Sequence, residues 1–461
     1  MSNSQGAPAP NSSGGSISDK IVHLFRPDPP AAHIETDPAK IRPEYKRWQT
    51  RVLLGTIVGY AAYYFVRKNL SIAMPAMIDQ LGVSKSDLGT YLTLHGVIYG
   101  VSKFVNGFFG DRCNARTFMV TGLLLSAALN VFFGMSSMAI WLGLFWMLNG
   151  WVQGMGFPPC ARLTTHWFSP KELAMKMSIW NTSHSIGAGL IVVIGGYLVG
   201  YNWRLGFFVP AAMAVAVAIY LKFALPDLPQ SVGLPEVEGT ESKKVMDSGQ
   251  VEDKGESFKQ VLMEKVFSNP YIWIIALANF FVYTVRYSVL DWSPTILSEA
   301  KGFKIAQSGW MTAGFEISGI FGMLLAGWIS DKVFQGRAAR TCVFYMMLCS
   351  LGVFLYWKVP SQTPAVASAI LCMTGFFLYG PQALVGVIVA NLGTKKAAAS
   401  AVGLTGLFGY ASTVLSGWGL GWLSEHRGWD VTFEWMFIFA CIGTFLFALT
   451  WFAPRDTYDN D

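Results

Sequence analysis

The chain has 461 residues, of which 52% are hydrophobic and 13% are charged, with a mean hydropathy of +0.40. Soluble domains carry about 25% charged residues, so this composition excludes an ordinary soluble protein and indicates a chain that crosses a membrane several times. The formal net charge of +6 does not require a nucleic-acid partner, because cytoplasmic loops of membrane proteins are enriched in Lys and Arg.

The chain begins with a polar segment. Residues 1–16 read MSNSQGAPAPNSSGGS, which is rich in Ser, Gly, Pro and Asn and lacks the apolar stretch of a secretory signal peptide. Segments of this composition cannot bury enough apolar surface to fold. We therefore expect residues 1–45 to form a disordered cytoplasmic tail.

Twelve apolar runs, each about 20 residues long, follow this tail. They lie near residues 52–78, 88–110, 117–136, 140–164, 177–200, 205–225, 270–295, 308–330, 341–358, 364–390, 399–424 and 430–453. The runs lack the period-2 alternation of membrane β-barrel strands. They predict an all-α membrane protein with twelve transmembrane helices.

One long polar insertion, residues 226–267, divides the twelve runs six and six. We therefore expect an N-terminal six-helix bundle over 46–225, a cytoplasmic linker over 226–267, a C-terminal six-helix bundle over 268–454 and a tail over 455–461. Loops such as DRCNAR, SPKELAMK and DKVFQGRAAR carry more cations than loops such as GMSSMAI and GYNW. The positive-inside rule places the cation-rich loops, and with them both termini, in the cytoplasm.

The two halves contain a sequence repeat, which indicates pseudo-symmetric bundles. GFFGD and GWISD, which end at Asp111 and Asp331, share the pattern G-x-x-x-D at the end of the second run of each half. Arg67 lies 44 residues before Asp111, and Arg286 lies 45 residues before Asp331. The two arginines therefore occupy matching positions in the first helix of each half.

The arginine pair places two charges inside the membrane, which is costly unless they face a cavity or a partner. Equal depth in opposite halves should bring them together near the midplane, where transporters bind their substrates. Asp291 is five residues from Arg286 and Glu316 is in the next helix, so a partial internal pairing that only ties helices together is one alternative. Guanidinium groups bind oxyanions through paired hydrogen bonds, which favours a phosphate dianion as the shared partner. Lys68, next to Arg67, is a supporting residue that tunes the local charge.

Other polar side chains lie within the predicted spans. Lys103 is in YGVSKFVNG of the second run, and His184 is in WNTSHSIGAG of the fifth, where small neighbours let helices approach closely. A histidine can take up a proton and hold a second phosphate charge, or it can be a satisfied core residue. Tyrosine hydroxyls can add hydrogen bonds, although tyrosines also mark the membrane interface. The tyrosines near these positions are Tyr60, Tyr63, Tyr64, Tyr99, Tyr283, Tyr379 and Tyr410.

No motif indicates an enzyme or a cofactor. The Gly-bearing stretches GWVQGMGFPP and GLTGLFGYAS lack the strand–turn–helix context and the lysine of a phosphate-binding loop. The six cysteines form no CxxC pair and no metal-ligand set, and the sequence offers no activated nucleophile. We therefore expect a monomeric protein that is not an enzyme and that binds no metal, cofactor or nucleic acid.

Six ordered motifs resemble those of one transporter family. They are GYAAYYFVRKN (59–69), QGMGFPPC (153–160), WNTSH (180–184), RYSVLDWSPT (286–295), LYGP (378–381) and GLTGLFGY (403–410). Over about residues 43–453 the chain is similar to the organophosphate:phosphate antiporters of the major facilitator superfamily, and among them to bacterial glycerol-3-phosphate transporters. The resemblance implies exchange of an organic phosphate for inorganic phosphate across the inner membrane by alternating access.

The resemblance also implies a set of substrate-binding residues. The phosphate-binding arginines of the family match Arg67 and Arg286. Its binding-site histidine matches His184, its second-helix lysine matches Lys103, and an interior glutamate matches Glu316. The surrounding polar positions of the family match Tyr60, Tyr64, Tyr99, Asn181, Tyr283, Tyr379 and Tyr410.

Two further positions bear on the substrate. Hexose-phosphate members of the family carry an Asp and a Lys in the eleventh helix, where this chain has Val402 and Thr405. The difference favours a three-carbon phosphate such as glycerol 3-phosphate. Antiport of hexose 6-phosphate or phosphoglycerate is an alternative, and so is a transporter-like sensor that binds a sugar phosphate without moving it.

Overall fold

The computed structural model describes residues 24–110, 113–237, 262–359, 363–392 and 394–453, and the regular secondary structure of these residues is helical, without a strand. The helices of the N-terminal half are α1 (Pro38–Phe65), α2 (Asn69–Leu81), α3 (Lys85–Gly110), α4 (Ala115–Met135), α5 (Ala139–Gln153), α6 (Phe157–Trp167), α7 (Pro170–Tyr201) and α8 (Leu205–Ala224). A short 3-10 turn at Pro229–Val232 follows α8.

The C-terminal half repeats this arrangement after a π-helical turn at Leu262–Phe267. Its helices are α9 (Pro270–Thr295), α10 (Ile305–Lys332), α11 (Ala338–Lys358), α12 (Pro364–Leu392), α13 (Thr394–Ala411), α14 (Leu420–His426) and α15 (Gly428–Leu449). A π-helical stretch at Ile296–Ala300 extends α9, and another at Val414–Gly419 joins α13 to α14.

Eight helices of the described part are long and apolar enough to cross a membrane. They are α4, α7, α8, α9, α10, α11, α12 and α15. Three of the other predicted spans are interrupted, because α1 and α2, α5 and α6, and α13 and α14 are each separated by a few non-α-helical residues. The all-α fold predicted from the sequence is confirmed, whereas the count of twelve spans stays a prediction.

The apolar core forms two clusters. One lies inside the N-terminal half and includes Tyr63, Met119 and Leu163. The other fills the C-terminal half and extends into the first half, where it includes Trp146 of α5 and residues of α2, whose Ile72 and Met74 are fully buried. The short helix α2 therefore belongs by sequence to the first half and packs partly with the second.

The two halves meet along several pairs of helices. Across this boundary α7 packs against α10, α3 packs against α13 and α14, and α2 packs against α9. Glycines allow the close approach, since a Cβ on Gly309 would lie 2.3 Å from the carbonyl oxygen of Val192, and one on Gly417 would lie 2.8 Å from that of Gly89. The halves are thus in backbone contact at these points.

Polar contacts between the halves reinforce one end of the molecule. Lys85 Nζ lies 2.7 Å from Glu299 Oε2, and the backbone N–H of Ser86 donates a hydrogen bond to Glu425 Oε2 over 2.8 Å. We call the end of the molecule that carries these four residues the closed end.

Residues 24–37 pack against the N-terminal half before α1 begins. The Asp28 carboxylate accepts hydrogen bonds from Arg116 Nη2 at 2.9 Å and Asn114 Nδ2 at 2.8 Å. Its backbone N–H donates to Asp227 Oδ2 over 3.2 Å. The segment therefore contacts both the start of α4 and the residues that follow α8.

These contacts differ from the disorder expected for the whole of residues 1–45. Helix α1 already begins at Pro38, and the residues before it are held by partners far away in sequence, which composition does not reveal. Three predicted segments lie wholly or partly outside the described residues, namely 1–23 of the tail, 238–261 of the linker and 455–461 of the C-terminal tail. The domain boundaries expected from the sequence therefore stay predictions.

Candidate functional site

The first predicted span is broken at Arg67 and Lys68. Helix α1 ends before Val66, helix α2 begins at Asn69, and residues 66–68 form a turn. Both cations therefore project from a turn deep within the protein and not from a regular helix. Irregular backbone is tolerated at membrane depth only where its free polar groups find partners inside the protein.

A cluster of buried side-chain amides supplies those partners. The Val66 carbonyl accepts hydrogen bonds from Asn130 Nδ2 at 2.9 Å and Asn149 Nδ2 at 2.8 Å. Gln153 Nε2 donates to Ser126 Oγ at 2.8 Å, and Ser126 Oγ donates to Asn149 Oδ1 at 2.5 Å. We call Asn130, Asn149, Gln153 and Ser126 the amide cluster. The cluster supplies hydrogen-bond donors to the Val66 carbonyl at the break in the helix, and it thereby fixes the position of the turn.

Arg67 is surrounded by tyrosine rings. Its guanidinium carbon lies 4.1 Å from the ring centroid of Tyr99 and 5.1 Å from that of Tyr64. The hydroxyls of Tyr99 and Tyr60 are 3.2 Å apart. None of the ion pairs formed by the described residues includes this arginine, so its charge is held by aromatic faces and is available to a ligand.

His184 joins the same aromatic group from α7. Its ring centroid lies 4.8 Å from that of Tyr60 and 5.4 Å from that of Tyr64. Its Nδ1 is 2.7 Å from the backbone carbonyl oxygen of Asn181. A carbonyl only accepts, so Nδ1 carries the hydrogen. The other ring nitrogen is left for the site.

Arg286 occupies the matching position in the second half and is 5% exposed. Its Nε donates to the Tyr379 hydroxyl over 3.2 Å, and that hydroxyl donates to Glu316 Oε1 over 2.5 Å. Its guanidinium carbon lies 5.9 Å and 5.8 Å from the ring centroids of Tyr283 and Tyr287. Glu316 thus reaches Arg286 only through a hydroxyl, and the arginine keeps its Nη groups free of any described ion pair.

The sequence offered a pair between Asp291 and Arg286 as one alternative, and the structure does not form it. Asp291 pairs across the two halves with Lys68, whose Nζ lies 2.5 Å from Asp291 Oδ1. Both side chains are at least nine-tenths buried. Lys68 Nζ also lies 5.0 Å from the ring centroid of Tyr287. The lysine beside Arg67 is therefore an inter-half contact as well as a local charge.

Lys103 approaches the site from α3. Its Nζ lies 3.4 Å from the Tyr410 hydroxyl and 3.9 Å from the ring centroid of Phe157. The Tyr410 ring contacts the Tyr99 ring at a centroid distance of 5.2 Å. This chain of contacts connects the lysine to the aromatic surroundings of Arg67.

The structure thus brings together nearly all residues predicted for the site. Asn181 is the exception, since its side chain is exposed and only its backbone carbonyl contacts the group. Tyr63, a weaker candidate, donates its hydroxyl to the Met119 carbonyl at 2.7 Å and has a packing role. Val402 and Thr405, the two eleventh-helix positions, have uncharged side chains. The Thr405 hydroxyl donates to the Val402 carbonyl at 2.8 Å. Asp111 of the repeat motif lies outside the described residues.

Sequence reasoning missed two residues that contact this group. Tyr287 lies between Lys68 and Arg286, and its adjacency to Arg286 in the sequence was an available signal. His95 lines a cavity together with Arg67 and Lys68. It is four residues before Tyr99 on α3 and therefore on the same helix face.

The charges of the assembled site do not balance. Among the described residues it holds four cations, Arg67, Lys68, Lys103 and Arg286, and two carboxylates, Asp291 and Glu316. When all six side chains are ionised, the site has two more positive charges than negative charges, in a region shielded from water. Such an excess favours a dianion that accepts many hydrogen bonds.

Comparisons with known proteins find relatives over almost the whole chain. The family model described as Major Facilitator Superfamily matches residues 56–417. The glycerol-3-phosphate transporter of Bacillus subtilis (strain 168) is 40% identical over 440 residues, which cover 94% of this chain and 98% of the relative. A probable hexose phosphate transport protein of Chlamydia pneumoniae is 38% identical over 443 residues, covering 94% and 97%. The membrane sensor protein UhpC of Salmonella typhimurium is 36% identical over 438 residues, covering 94% and 99%.

A solved structure gives the same fold. The bacterial homolog of the human lysosomal transporter Spinster, in an inward-facing and unoccupied conformation, superposes with a TM-score of 0.74 at 16% identity, covering 88% of this chain and 97% of that one. The match of the family model and the relatives at up to 40% identity confirm the resemblance predicted from the motifs. The chain is an integral membrane protein that belongs to the Major Facilitator Superfamily.

Proposed function

We propose that this protein exchanges a small organophosphate, such as glycerol 3-phosphate, for inorganic phosphate across the bacterial inner membrane. The observation that carries the proposal is the pair Arg67 and Arg286, which come from opposite halves and enter no ion pair among the described residues. The name of the Bacillus subtilis relative supports the substrate class.

The phosphate group binds between the two arginines in this proposal. Guanidinium groups supply paired N–H donors in a planar fork that matches phosphate oxygens. Lys103 adds donors, His184 adds one when its free ring nitrogen takes up a proton, and the hydroxyls of Tyr60 and Tyr99, 3.2 Å apart, complete the hydrogen bonds. Tyr64, Tyr283, Tyr379 and Tyr410 hold the cations in place through their rings.

Alternating access follows from the charge imbalance. An empty site keeps its excess positive charge in a low-dielectric region, and a dianion removes that cost. A bound ligand therefore stabilises the intermediate in which both halves surround it, and the halves rock past each other more readily when loaded. We propose that the closed end faces the periplasm and both termini face the cytoplasm, as the cation-rich loops predict. The working unit is a monomer, since each chain holds a complete site.

The alternatives stay within the same site. A hexose 6-phosphate or phosphoglycerate antiporter would use the same arginines with different contacts to the carbon chain, and relatives named for hexose phosphate and for sensing have 38% and 36% identity. Val402 and Thr405 give no charge for a hexose, which is why we favour a three-carbon phosphate. A sensor would bind the same ligand without moving it.

The experiment uses purified protein in liposomes loaded with unlabelled phosphate. Uptake of labelled phosphate is followed with external glycerol 3-phosphate or glucose 6-phosphate as competitors. We expect inhibition by glycerol 3-phosphate and loss of exchange in Arg67→Lys and Arg286→Lys, because an ammonium group cannot replace the paired donors. Arg51→Lys, on α1 but bonded to the Phe223 carbonyl, is the matched control and should exchange normally.

Three outcomes would overturn different parts of the proposal. Inhibition by glucose 6-phosphate alone would mean that the substrate is a hexose phosphate. Saturable binding of the ligand without any exchange would mean that the protein is a sensor. Liposomes without internal phosphate test the antiport mode, since uptake into them should be far slower than exchange. Equal rates with and without internal phosphate would exclude antiport.

A further inference from the structure

A side chain of the N-terminal half binds to the π-helical stretch Val414–Gly419 of the C-terminal half. Thr93 Oγ1, on α3, donates a hydrogen bond to the Thr413 carbonyl over 2.7 Å and accepts one from the Trp418 backbone N–H over 2.8 Å. Residues 413 and 418 are five apart, and a π-helix is the helix that pairs N–H and carbonyl groups at this separation. The hydroxyl group therefore bridges two backbone groups at the point where the helix is π-helical.

Close packing of the two halves brings Thr93 to this position. A Cβ on Gly89 would lie 2.5 Å from the Gly417 carbonyl oxygen, and one on Gly96 would lie 2.5 Å from Thr413 Cγ2. Gly89, Thr93 and Gly96 are spaced four and three residues apart, so they share one face of α3. The hydroxyl group therefore reaches the two backbone groups only while α3 and the π-helical stretch are in contact.

The sequence repeat provides a comparison between the two halves. Gly309 and Ala313 of α10 lie 220 residues after Gly89 and Thr93, and both face α7. Helix α7 is a continuous α-helix. Where α3 offers a hydroxyl group, the facing helix is thus π-helical, and where α10 offers a methyl group, the facing helix stays α-helical. A side chain that inserts into the hydrogen bonds of a helix is a known cause of such irregularity.

We propose that Val414–Gly419 is a conformational switch, which is π-helical while Thr93 is bound to it and becomes α-helical when the closed end opens. The inference rests on the alternating access of the proposed function, because that motion separates α3 from α13 and α14. Withdrawal of the hydroxyl group removes a partner from the Thr413 carbonyl and from the Trp418 N–H. In an α-helix this N–H bonds to the carbonyl of Val414, four residues earlier, so the change restores its pairing within the helix.

The switch links two contacts of the closed end. Each residue turns an α-helix by about 100°, so a change in pairing by one residue rotates α14 relative to α13. Glu425, on α14, accepts a hydrogen bond from the Ser86 N–H over 2.8 Å, and this rotation directs its carboxylate away from Ser86. The contacts at Thr93 and at Glu425 are therefore made and lost together, and the closed end opens as one unit.

The test measures two distances between spin labels, carried by unnatural amino acids in the full-length protein in liposomes. Labels at the exposed positions Lys358 and Trp422 both lie in the C-terminal half. Rocking of a rigid half leaves their separation unchanged, whereas rotation of α14 changes it. Labels at Met138, which is exposed in the N-terminal half, and Lys358 report how far the halves are apart.

We expect the change Thr93→Val, which keeps the shape and removes the hydroxyl group, to favour the α-helical form. The closed form loses two hydrogen bonds, so the population with the changed Lys358–Trp422 separation should rise about fivefold or more. The population with the wider Met138–Lys358 separation should rise by the same factor. Thr93→Ser keeps the hydroxyl group and should match the wild type. Thr90→Val is the matched control, because the Thr90 hydroxyl donates within α3 over 2.8 Å.

A second variant opens the closed end while Thr93 stays in place. Gly309→Ala introduces a Cβ only 2.3 Å from a carbonyl oxygen of α7, and the changed Lys358–Trp422 separation should accompany its opening too. This variant decides the question if Thr93→Val does not fold. Halves that move apart in either variant while the Lys358–Trp422 separation stays constant would overturn the switch, because they would rock as rigid bodies around a permanent π-helical stretch.

The result is independent of the substrate. Both separations are measured without transport, so failure of phosphate exchange would overturn the proposed function and leave the switch to be decided by the spin labels. Conversely, if neither separation changes in Thr93→Val, the switch is wrong while the transporter remains intact.

Discussion

Tyr379 connects the buried carboxylate of Glu316 to Arg286. Its hydroxyl accepts a hydrogen bond from Arg286 Nε at 3.2 Å and donates one to Glu316 Oε1 at 2.5 Å. Glu316 is completely buried, and its second oxygen has no hydrogen-bond partner among the described residues. One hydroxyl therefore orients the guanidinium and bonds one of the two carboxylate oxygens at the same time.

The change Tyr379→Phe should weaken both stability and binding. Without the hydroxyl the carboxylate of Glu316 stays buried and unpaired, which costs about 2 kcal/mol of unfolding free energy, and Arg286 loses an orienting contact. We expect a lower melting temperature in detergent and a higher half-saturating phosphate concentration. Tyr345→Phe is the control, because that hydroxyl makes only a 3.3 Å contact with the Gly322 carbonyl. Equal behaviour of the two variants would show that the link is energetically unimportant.

The sequence predicted the cations of the site better than their partners. Arg67 and Arg286 follow from the repeat, because matching positions in two halves imply a common depth. The sequence offers Asp291 as an alternative partner of Arg286, five residues away, yet its partner is Lys68 in the other half. Contacts between halves depend on how the halves dock, which spacing along one helix does not encode. His95 was missed for the same reason, since its cavity is formed by both halves.

At the level of elements, the break between α1 and α2 decides how the site is built. A continuous helix would point Arg67 and Lys68 in directions about 100° apart, whereas the turn at residues 66–68 directs one toward Tyr99 and the other toward Asp291. The amide cluster stabilises this turn by donating hydrogen bonds to the Val66 carbonyl, which the break leaves without a helical partner. Hydropathy detects the apolar run but not its interruption, so the sequence predicted one span here.

The change Asn149→Leu tests the role of the amide cluster. Leucine has a similar size but leaves the Val66 carbonyl with one hydrogen bond fewer and Ser126 Oγ without its acceptor. We expect a loss of about 2–3 kcal/mol in unfolding free energy and at least tenfold slower exchange, because the turn that carries Arg67 loosens. Leu148→Ala, an exposed neighbour on α5, should leave exchange unchanged. Exchange at the wild-type rate in Asn149→Leu would mean that the turn holds its shape without the cluster.

For the molecule as a whole, the contacts between the halves describe one state of the transport cycle. In the described part of the chain, hydrogen bonds and ion pairs that join the halves lie near the closed end or at the depth of the arginines. Alternating access requires each of the closed-end contacts to separate. The pseudo-symmetric fold was predictable from the repeat, but the conformation was not, because one sequence must support both states with similar free energies.

Gly309 offers a way to shift the balance between these states. A Cβ at this position would lie 2.3 Å from the Val192 carbonyl oxygen on the facing helix α7, so Gly309→Ala cannot keep the closed end as it is. Overpacking of this kind costs about 1–3 kcal/mol, and here the cost falls on the closed state alone. We expect the fraction of molecules open at this end to rise about tenfold or more.

The opening is measured with a cysteine in place of Ser71, which is 1% exposed and lines the cavity beside Arg67. An impermeant thiol reagent applied from the side of the closed end reaches this cysteine only after the halves separate. Labelling should be faster with Gly309→Ala than with Gly200→Ala, a control on α7 where an added Cβ meets no atom within 4 Å. The parent protein with Ser71 intact corrects for the native cysteines. Equal labelling in both variants would show that the contact between α7 and α10 does not hold the closed end.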